Sequence, residues 1–292
     1  MRTVERIADL RAAVGAARAR GLRVGLVPTM GFLHEGHLRL VDEARRHCAF
    51  VVMSIFVNPL QFGPTEDFSR YPRDLGGDGA KAAARGVDVL FVPSREEMYP
   101  AERAVTVVPQ GLDARWEGEV RPGHFAGVLT VVAKLFNLVQ PDVAVFGQKD
   151  FQQAALVRAM VRDLDFPIEL VVVPTVREPD GLALSSRNSY LSAEDRVRAR
   201  ALSAALREMQ RAWRAGTRGA DAIAAVGRAR LERDAPGARI DYLAVVDPAT
   251  LAPAREATDE SVALVAARLG GTRLIDNAPL GVPLDDATAK GA

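Results

Sequence analysis

A single cysteine among 292 residues rules out an internal disulfide framework and fits a reducing compartment. Charge is almost balanced, with 38 Lys and Arg against 37 Asp and Glu, so no strong field gathers nucleic acid or an anionic membrane. No apolar run approaches the roughly 20 residues of a membrane span, and the N-terminus lacks a secretory leader pattern. Residues 2–20 read as one amphipathic helix rich in Arg and Ala; a transit peptide looks similar, but Glu5 and Asp9 argue against it. No internal repeat is visible. What is present, at 48% hydrophobic and 26% charged, is an ordinary globular composition with ample core, enough for one large or two ordinary domains. A cytoplasmic location is expected.

Strand-like apolar runs alternate with helical patterns through the first 175 residues. The runs are Arg23–Val27, Phe50–Val57, Val87–Val92, Asp142–Phe146 and Ile168–Val173, and the helical stretches include Leu38–Cys48, Leu75–Arg85, Phe125–Val139 and Phe151–Leu164. That alternation predicts an α/β fold with a parallel, doubly wound, Rossmann-like sheet buried on both faces. Such sheets bind ligands at the carboxyl ends of their strands. After Pro174 comes a polar loop, Glu178 to Ser189, then a long helix to about Arg214 with Ser192 as its N-cap. A second helix near Ala220–Arg233 and strands at Arg239–Val246, Ser261–Ala267 and Thr272–Ile275 follow. The expected division is residues 1–175 as the sheet domain, 176–280 as a smaller α+β domain, and 281–292 as a frayed tail.

The unusual sequences follow strand ends. Val24–Val27 leads into Pro28-Thr29-Met30-Gly31-Phe32-Leu33-His34-Glu35-Gly36-His37, which reads as strand, glycine turn and helix start. A helix start carries unsatisfied N–H groups and a positive dipole end, so it holds phosphate well. His34 and His37, three apart, share one face of the first turn. Two surface histidines beside a common glycine turn are the plainer alternative. Zinc fits less well: the motif H-E-x-x-H needs histidines four apart, and His47 and Cys48 lie further along the helix.

Four more segments draw attention. Asn58 and Gln61, in Val57-Asn58-Pro59-Leu60-Gln61, offer carboxamide donors and acceptors to a small polar ligand, or form an ordinary Asn-Pro turn. Arg121 and His124 precede an apolar helix, where they contact phosphate, position a neighbouring loop, or serve the helix entry. Gly147-Gln148-Lys149-Asp150 follows an apolar strand; Gly147 permits close backbone approach and Lys149 supplies a point charge at the expected ligand edge, which favours this reading over a mere cap with a solvated ion pair. Gln153 falls on a face similar to that of Asp150. Ser185-Ser186-Arg187 sits in a loop and can neutralise the outer phosphates of a nucleotide, though loops rich in Ser and Asn are also common with no function.

Together these segments resemble the pantoate–β-alanine ligases (pantothenate synthetases), of the nucleotidyltransferase superfamily with an H-x-G-H signature. The resemblance runs from about residue 3 to Asn277 through P-T-M-G-x-L-H-E-G-H at 28–37, F-V-N-P-x-Q-F at 56–62, R-P-G-H-F at 121–125, F-G-x-K-D at 146–150 and E-P-D-G-L-A-x-S-S-R-N at 178–188. It implies that ATP and pantoate form pantoyl adenylate and pyrophosphate with help from Mg²⁺, and that β-alanine then gives pantothenate and AMP. ATP is expected along Met30, Gly31, Phe32, Leu33, His34, Glu35, Gly36 and His37, at Gly147, Gln148, Lys149 and Asp150, near Val176, and at Leu184, Ser185, Ser186 and Arg187. Gln61 and Gln153 match pantoate-binding glutamines, with Gln61 also near β-alanine. His37 matches a proton donor, and His34, Lys149, Ser185, Ser186 and Arg187 match groups on the phosphates. Asn58, Arg121 and His124 fall on family motifs with less defined roles.

The departures are modest. Phe32 replaces a small residue and Leu184 a methionine. Asp78 lies in a region proposed for Mg²⁺ in some relatives, but Gly76 and Gly77 thin the acidic cluster, so the ion is expected on ATP phosphates rather than in a protein cage. A homodimer is implied by the resemblance alone. Competing readings are an adenylyltransferase that stops after nucleotide transfer, and a nucleotide-binding module without catalysis.

Overall fold

The computed structural model describes residues 1–101 and 103–284. Its chain divides into two units, Met1–Gly147 with Gln153–Val173, and Gln148–Gln152 with the residues from Pro174 onward. The chain order in the first is β1 (Arg2–Val4), α1 (Ile7–Ala19), β2 (Val24–Thr29), α2 (Glu35–His47), β3 (Phe50–Ile55), α3 (Leu75–Ala84), β4 (Val89–Phe91), α4 (Arg95–Met98), α5 (Glu117–Val120), α6 (His124–Val139), β5 (Val143–Gly147), α7 (Phe151–Asp163) and β6 (Glu169–Val173).

The six strands form one parallel sheet in the order β1-β4-β3-β2-β5-β6. Alternate residues feed opposite faces, as strand geometry requires. Leu26 and Val52 join a core with Leu10 of α1, Phe136 of α6 and Leu156 of α7. Val27, Val51 and Met53 join a second core with Val41 and Ala44 of α2 and Ala82 of α3. Both faces are covered, which explains the near-continuous apolar runs. The chain winds outward in opposite directions from β2 and β5, so the order reverses between these neighbours. Gly25 and Leu26 pair with Val143 and Ala144, and the two strands end at Thr29 and Gly147.

The second unit holds α8 (Ala193–Ala199), α9 (Ala201–Arg214), α10 (Ala220–Asp234) and the antiparallel sheet β7 (Arg239–Val246), β8 (Val262–Leu269) and β9 (Thr272–Pro279). Leu202, Ala205, Leu206 and Met209 recur at helical spacing on α9 and pack with Val265, Ala267 and Ala278. Gly227 lets α10 approach closely, because a Cβ there would meet Met209. Of the terminal dozen residues, Leu284 is buried and its N–H donates to Gln210 Oε1 at 3.1 Å; residues 285–292 lie outside the described residues.

Two expectations need correction. Residues 2–20 are not one helix: Arg2–Val4 pairs with Val89–Phe91 as an edge strand, and α1 starts at Ile7, whose N–H donates to Glu97 Oε1 at 2.7 Å. A three-residue strand carries too little periodicity to read. The long helix after Ser192 is two segments meeting at Arg200, where Arg200 N donates to Val197 O and tightens the turn. Ser192 does cap it, accepting from Asp195 N at 3.0 Å.

Candidate active site

The loop after β2 is fixed from three sides. Thr29 Oγ1 donates to Ser54 O at 2.7 Å and accepts from Gly31 N at 3.2 Å, tying the end of β2 to β3. Gly31 and Phe32 both take positive φ, 85° and 52°. Only glycine suits the first position: a Cβ on Gly31 would sit 2.9 Å from Ile55 Cγ2 and 3.0 Å from Asp78 Oδ2. Asp78, on α3 and 1% exposed, accepts from Phe32 N at 2.7 Å and from Leu33 N at 2.6 Å. Lys81, one turn on, donates to Leu33 O at 2.8 Å. Both oxygens of Asp78 are therefore occupied by the loop backbone, and among the described residues no three His, Cys, Asp or Glu side chains gather as a metal cluster.

The turn delivers His34 to the N-cap of α2 in an extended conformation, with Glu35 as the first helical residue. The helix thus begins three residues earlier than the pattern from Leu38 suggests. His34 N donates to His37 Nδ1 at 3.3 Å, and the rings lie 4.0 Å apart, tilted by 37°. With Nδ1 accepting, a neutral His37 carries its proton on Nε2. Glu35 pairs with Arg85, the C-cap of α3, at 2.5 Å.

The turn after β3 meets this loop. Gln61 Nε2 donates to Met30 Sδ at 3.2 Å, while Asn58 Nδ2 donates to Gln61 Oε1 and to Gly127 O, both at 3.1 Å. Asn58 Oδ1 accepts from Tyr99 Oη at 3.0 Å and from Leu60 N at 3.3 Å. Asn58 is thus a fully engaged, buried anchor that orients Gln61. Gly127 makes this possible, since a Cβ there would collide with the Leu60 carbonyl.

Arg121 and His124 pack against the turn after β3. His124 Nδ1 lies 2.8 Å from Gln61 O, and Arg121 Nη1 lies 3.0 Å from His124 Nε2. Arg121 clamps Glu66 with two bonds of 2.7 and 2.6 Å. Burial, followed by the Arg121 charge, pushes the His124 pKa down to about 4. The neutral ring donates through Nδ1 and accepts through Nε2, so this pair holds the neighbouring turn. Burial acts to raise the Glu66 pKa, but its bonds and charge interaction with Arg121 outweigh that and hold it below the usual value.

In the second unit, Gln148–Asp150 forms a single 3₁₀ turn before α7. Lys149 Nζ lies 3.6 Å from Asp150 Oδ1. Asn277 of β9 donates through Nδ2 to the carbonyls of Gln148 and Lys149, each at 2.9 Å. Val176 and Leu184 are joined by Leu184 N donating to Val176 O at 3.0 Å, so 176–184 closes as a narrow hairpin. Beyond it Ser185 caps the turn Ser186–Tyr190, accepting from Arg187 N at 3.3 Å. Thr175, absent from the sequence reading, has a buried hydroxyl without a hydrogen-bond partner among the described residues. Gln153 lies half-buried in the first turn of α7, in the first unit. Asp78, Lys81, Tyr99 and Asn277 were not singled out as anchors of these segments; their contacts come from distant elements, and no local motif announces them.

The family profile described as pantoate-beta-alanine ligase matches residues 2–279. The chain belongs to the pantoate–β-alanine ligase family. The pantothenate synthetase of Moorella thermoacetica is 54% identical over 285 residues, covering 97% of this chain and 99% of that protein. The crystal structure of the Thermus thermophilus pantothenate synthetase superposes with a TM-score of 0.91 at 54% identity, covering 96% of this chain and 99% of that one. A pantoate-beta-alanine ligase from Francisella tularensis, crystallised with beta-gamma ATP and beta-alanine, gives a TM-score of 0.81 at 31% identity over 97% of this chain and 99% of its own. As a member of the ligase family, the chain is an enzyme that condenses pantoate with β-alanine at the expense of ATP, through a pantoyl adenylate. No helix among the described residues is long and apolar enough to cross a membrane.

Proposed function

We propose that the ligation is carried out at the carboxyl ends of β2 and β5, with ATP bound along Met30–His37, at Gly147–Asp150, near Val176 and at Leu184–Arg187. The observation that carries this reading is the strand order: β2 and β5 are neighbours at the point where the winding reverses, and such a point is where parallel α/β sheets bind ligands. Gln61 and Gln153 take pantoate, with Gln61 also serving β-alanine; the hydrogen bond from Gln61 to Met30 supports its side.

In the first step a pantoate carboxylate oxygen attacks the α-phosphorus and pyrophosphate leaves. Anion meets anion, so cationic and N–H donors must offset the repulsion as charge builds on the phosphoryl oxygens. His34, Lys149, Ser185, Ser186 and Arg187 are assigned to the phosphates. His37, with its proton on Nε2, is assigned as donor. In the second step the β-alanine amine attacks the acyl carbonyl and AMP departs with the bridging oxygen. No covalent enzyme intermediate is needed, and Cys48, buried with a raised pKa, is unsuited to forming one. Mg²⁺, when bound, would supply charge neutralisation and would be held by the nucleotide rather than by Asp78, whose two oxygens both accept from backbone N–H groups. We assign residues 1–175 to nucleotide and pantoate binding and 176–280 to a lid, with a homodimer working in the cytoplasm.

AMP formation measured with ATP, pantoate, β-alanine and Mg²⁺ omitted in turn tests the scheme. His37→Ala and Lys149→Ala should each release pyrophosphate at least tenfold more slowly, with unfolding curves unchanged. Wild-type rates in either variant remove that residue's role. Pantoate-dependent pyrophosphate release that never yields pantothenate favours an adenylyltransferase instead. Sedimentation velocity decides the dimer.

A further inference from the structure

We propose that Asn277, backed by the buried Arg177–Asp276 pair, is a positioning residue that holds the backbone carrying Lys149. The inference rests on the assignment of Lys149 to the phosphates and goes beyond it to a residue with no contact to substrate of its own.

Asn277 is 2% exposed, and each of its polar groups has a partner. Nδ2 donates to Gln148 O and Lys149 O at 2.9 Å each, and Oδ1 accepts from Gln148 Nε2 at 3.2 Å. Its N–H donates to Asp276 Oδ1 at 2.8 Å, and its carbonyl accepts from Arg177 Nη2 at 3.3 Å. Two carbonyls converging on one side-chain nitrogen fix the sense of the amide, because the flipped form would set an oxygen against both. A carboxylate has no hydrogen to offer there, and a hydroxyl has one. Asparagine is the residue of this reach that donates twice and accepts once.

The ion pair behind it is buried. Arg177 and Asp276 have side chains 1% and 2% exposed and meet through two hydrogen bonds of 2.6 and 2.9 Å. Arg177 also donates to Gly181 O at 3.1 Å, in the hairpin that leads to Ser185–Arg187. One buried network therefore anchors both stretches assigned to the outer phosphates within this unit. The Lys149 turn is only three residues long, so its own hydrogen bonding defines the lysine's Cα weakly. Phosphoryl transfer is sensitive to such placement: a shift of about 1 Å in a catalytic group costs on the order of 100-fold.

The test is a double-mutant cycle on the full chain: wild type, Asn277→Ala, Lys149→Ala and the double variant, with Asn277→Asp beside them. Pyrophosphate release is measured per folded molecule, calibrated by near-UV circular dichroism. Asn277→Ala should lower kcat/KM for ATP by about 10- to 100-fold, leaving KM for β-alanine within twofold. In the Lys149→Ala background the same change should cost less than threefold, because a positioning residue has nothing left to position. Asn277→Asp, which sets an acceptor against both carbonyls, should lose at least as much as the alanine variant. If the alanine variant does not accumulate, Asn277→Ser supplies the same comparison. The proposal is overturned if Asn277→Ala stays within twofold of wild type, or if the two losses multiply. A silent Lys149→Ala instead removes the role of Lys149, which separates that failure from this one.

Discussion

Replacing Asp78 by Asn tests how the histidine-bearing loop is held. The substitution keeps size and shape. The carboxylate accepts from Phe32 N at 2.7 Å and Leu33 N at 2.6 Å at a site 1% exposed. A carboxamide can accept only one of these and turns its NH₂ towards the other. A hydrogen bond to a charged acceptor contributes about 1.5–3 kcal/mol, and a buried donor stripped of its acceptor costs about 1–3 kcal/mol. Together these give a loss of about 3 kcal/mol, or on the order of a hundredfold in an equilibrium constant. The loss divides according to what gives way. If α3 and the loop stay docked, urea unfolding records all of it. If the loop detaches locally, unfolding records less and KM for ATP rises by the remainder. The assay is therefore paired: urea midpoints with their slopes, and initial rates against ATP at several Mg²⁺ concentrations. Stability within about 0.5 kcal/mol of wild type together with an ATP KM within twofold would refute the loop-holding role. So would rescue by excess Mg²⁺, which would mean that the carboxylate serves a cation.

Three further outcomes are expected. His124 is held near a pKa of about 4 against 6.5 in the unfolded chain, so acid protonates the unfolded state first. Its contribution is whole above about pH 6.5 and falls by about 3 kcal/mol as pH drops from 6.5 towards 4; urea midpoints across that range should show a slope that His124→Gln removes, and an unchanged slope contradicts the assignment. Gly127→Ala gains about 1 kcal/mol in helix propensity but drives a Cβ into the Leu60 carbonyl, for about 1–3 kcal/mol of overpacking; KM for pantoate should rise as Asn58 and Gln61 shift, and a wild-type KM with a raised Tm would count against the close approach. Arg177→Met strands Asp276 in the interior and should cost about 3–5 kcal/mol, most of it recovered on adding Asp276→Leu; equal losses in the single and double variants would show that the pair is not the source.

The sequence reading was strongest where one signal repeated. Val24–Val27 and Asp142–Phe146 are apolar because both faces of the sheet are covered, and that property alone implied parallel strands with helices between them. The histidine motif, the Gly147–Asp150 turn and Ser185–Arg187 were all visible as unusual residues at strand or hairpin ends. What did not show was how they are held. Asp78 looked like part of a weak acidic cluster, yet its work is on the backbone of residues 46 and 45 positions earlier. Asn277 lies 129 residues beyond Gln148 in the chain. Neither spacing leaves a local pattern, since long-range contacts are set by packing rather than by periodicity. Phe32 at positive φ is another case: a bulky residue there costs strain, which the Asp78 bonds to the loop backbone help to offset.

The placement of Asn277 in the last strand has a consequence for synthesis. A chain emerging from the ribosome acquires its histidines early and Lys149 near its midpoint, but the side chain that braces the lysine turn arrives almost at the end. A chain that ends before β9 therefore lacks the two hydrogen bonds that Asn277 gives to the Gln148 and Lys149 carbonyls.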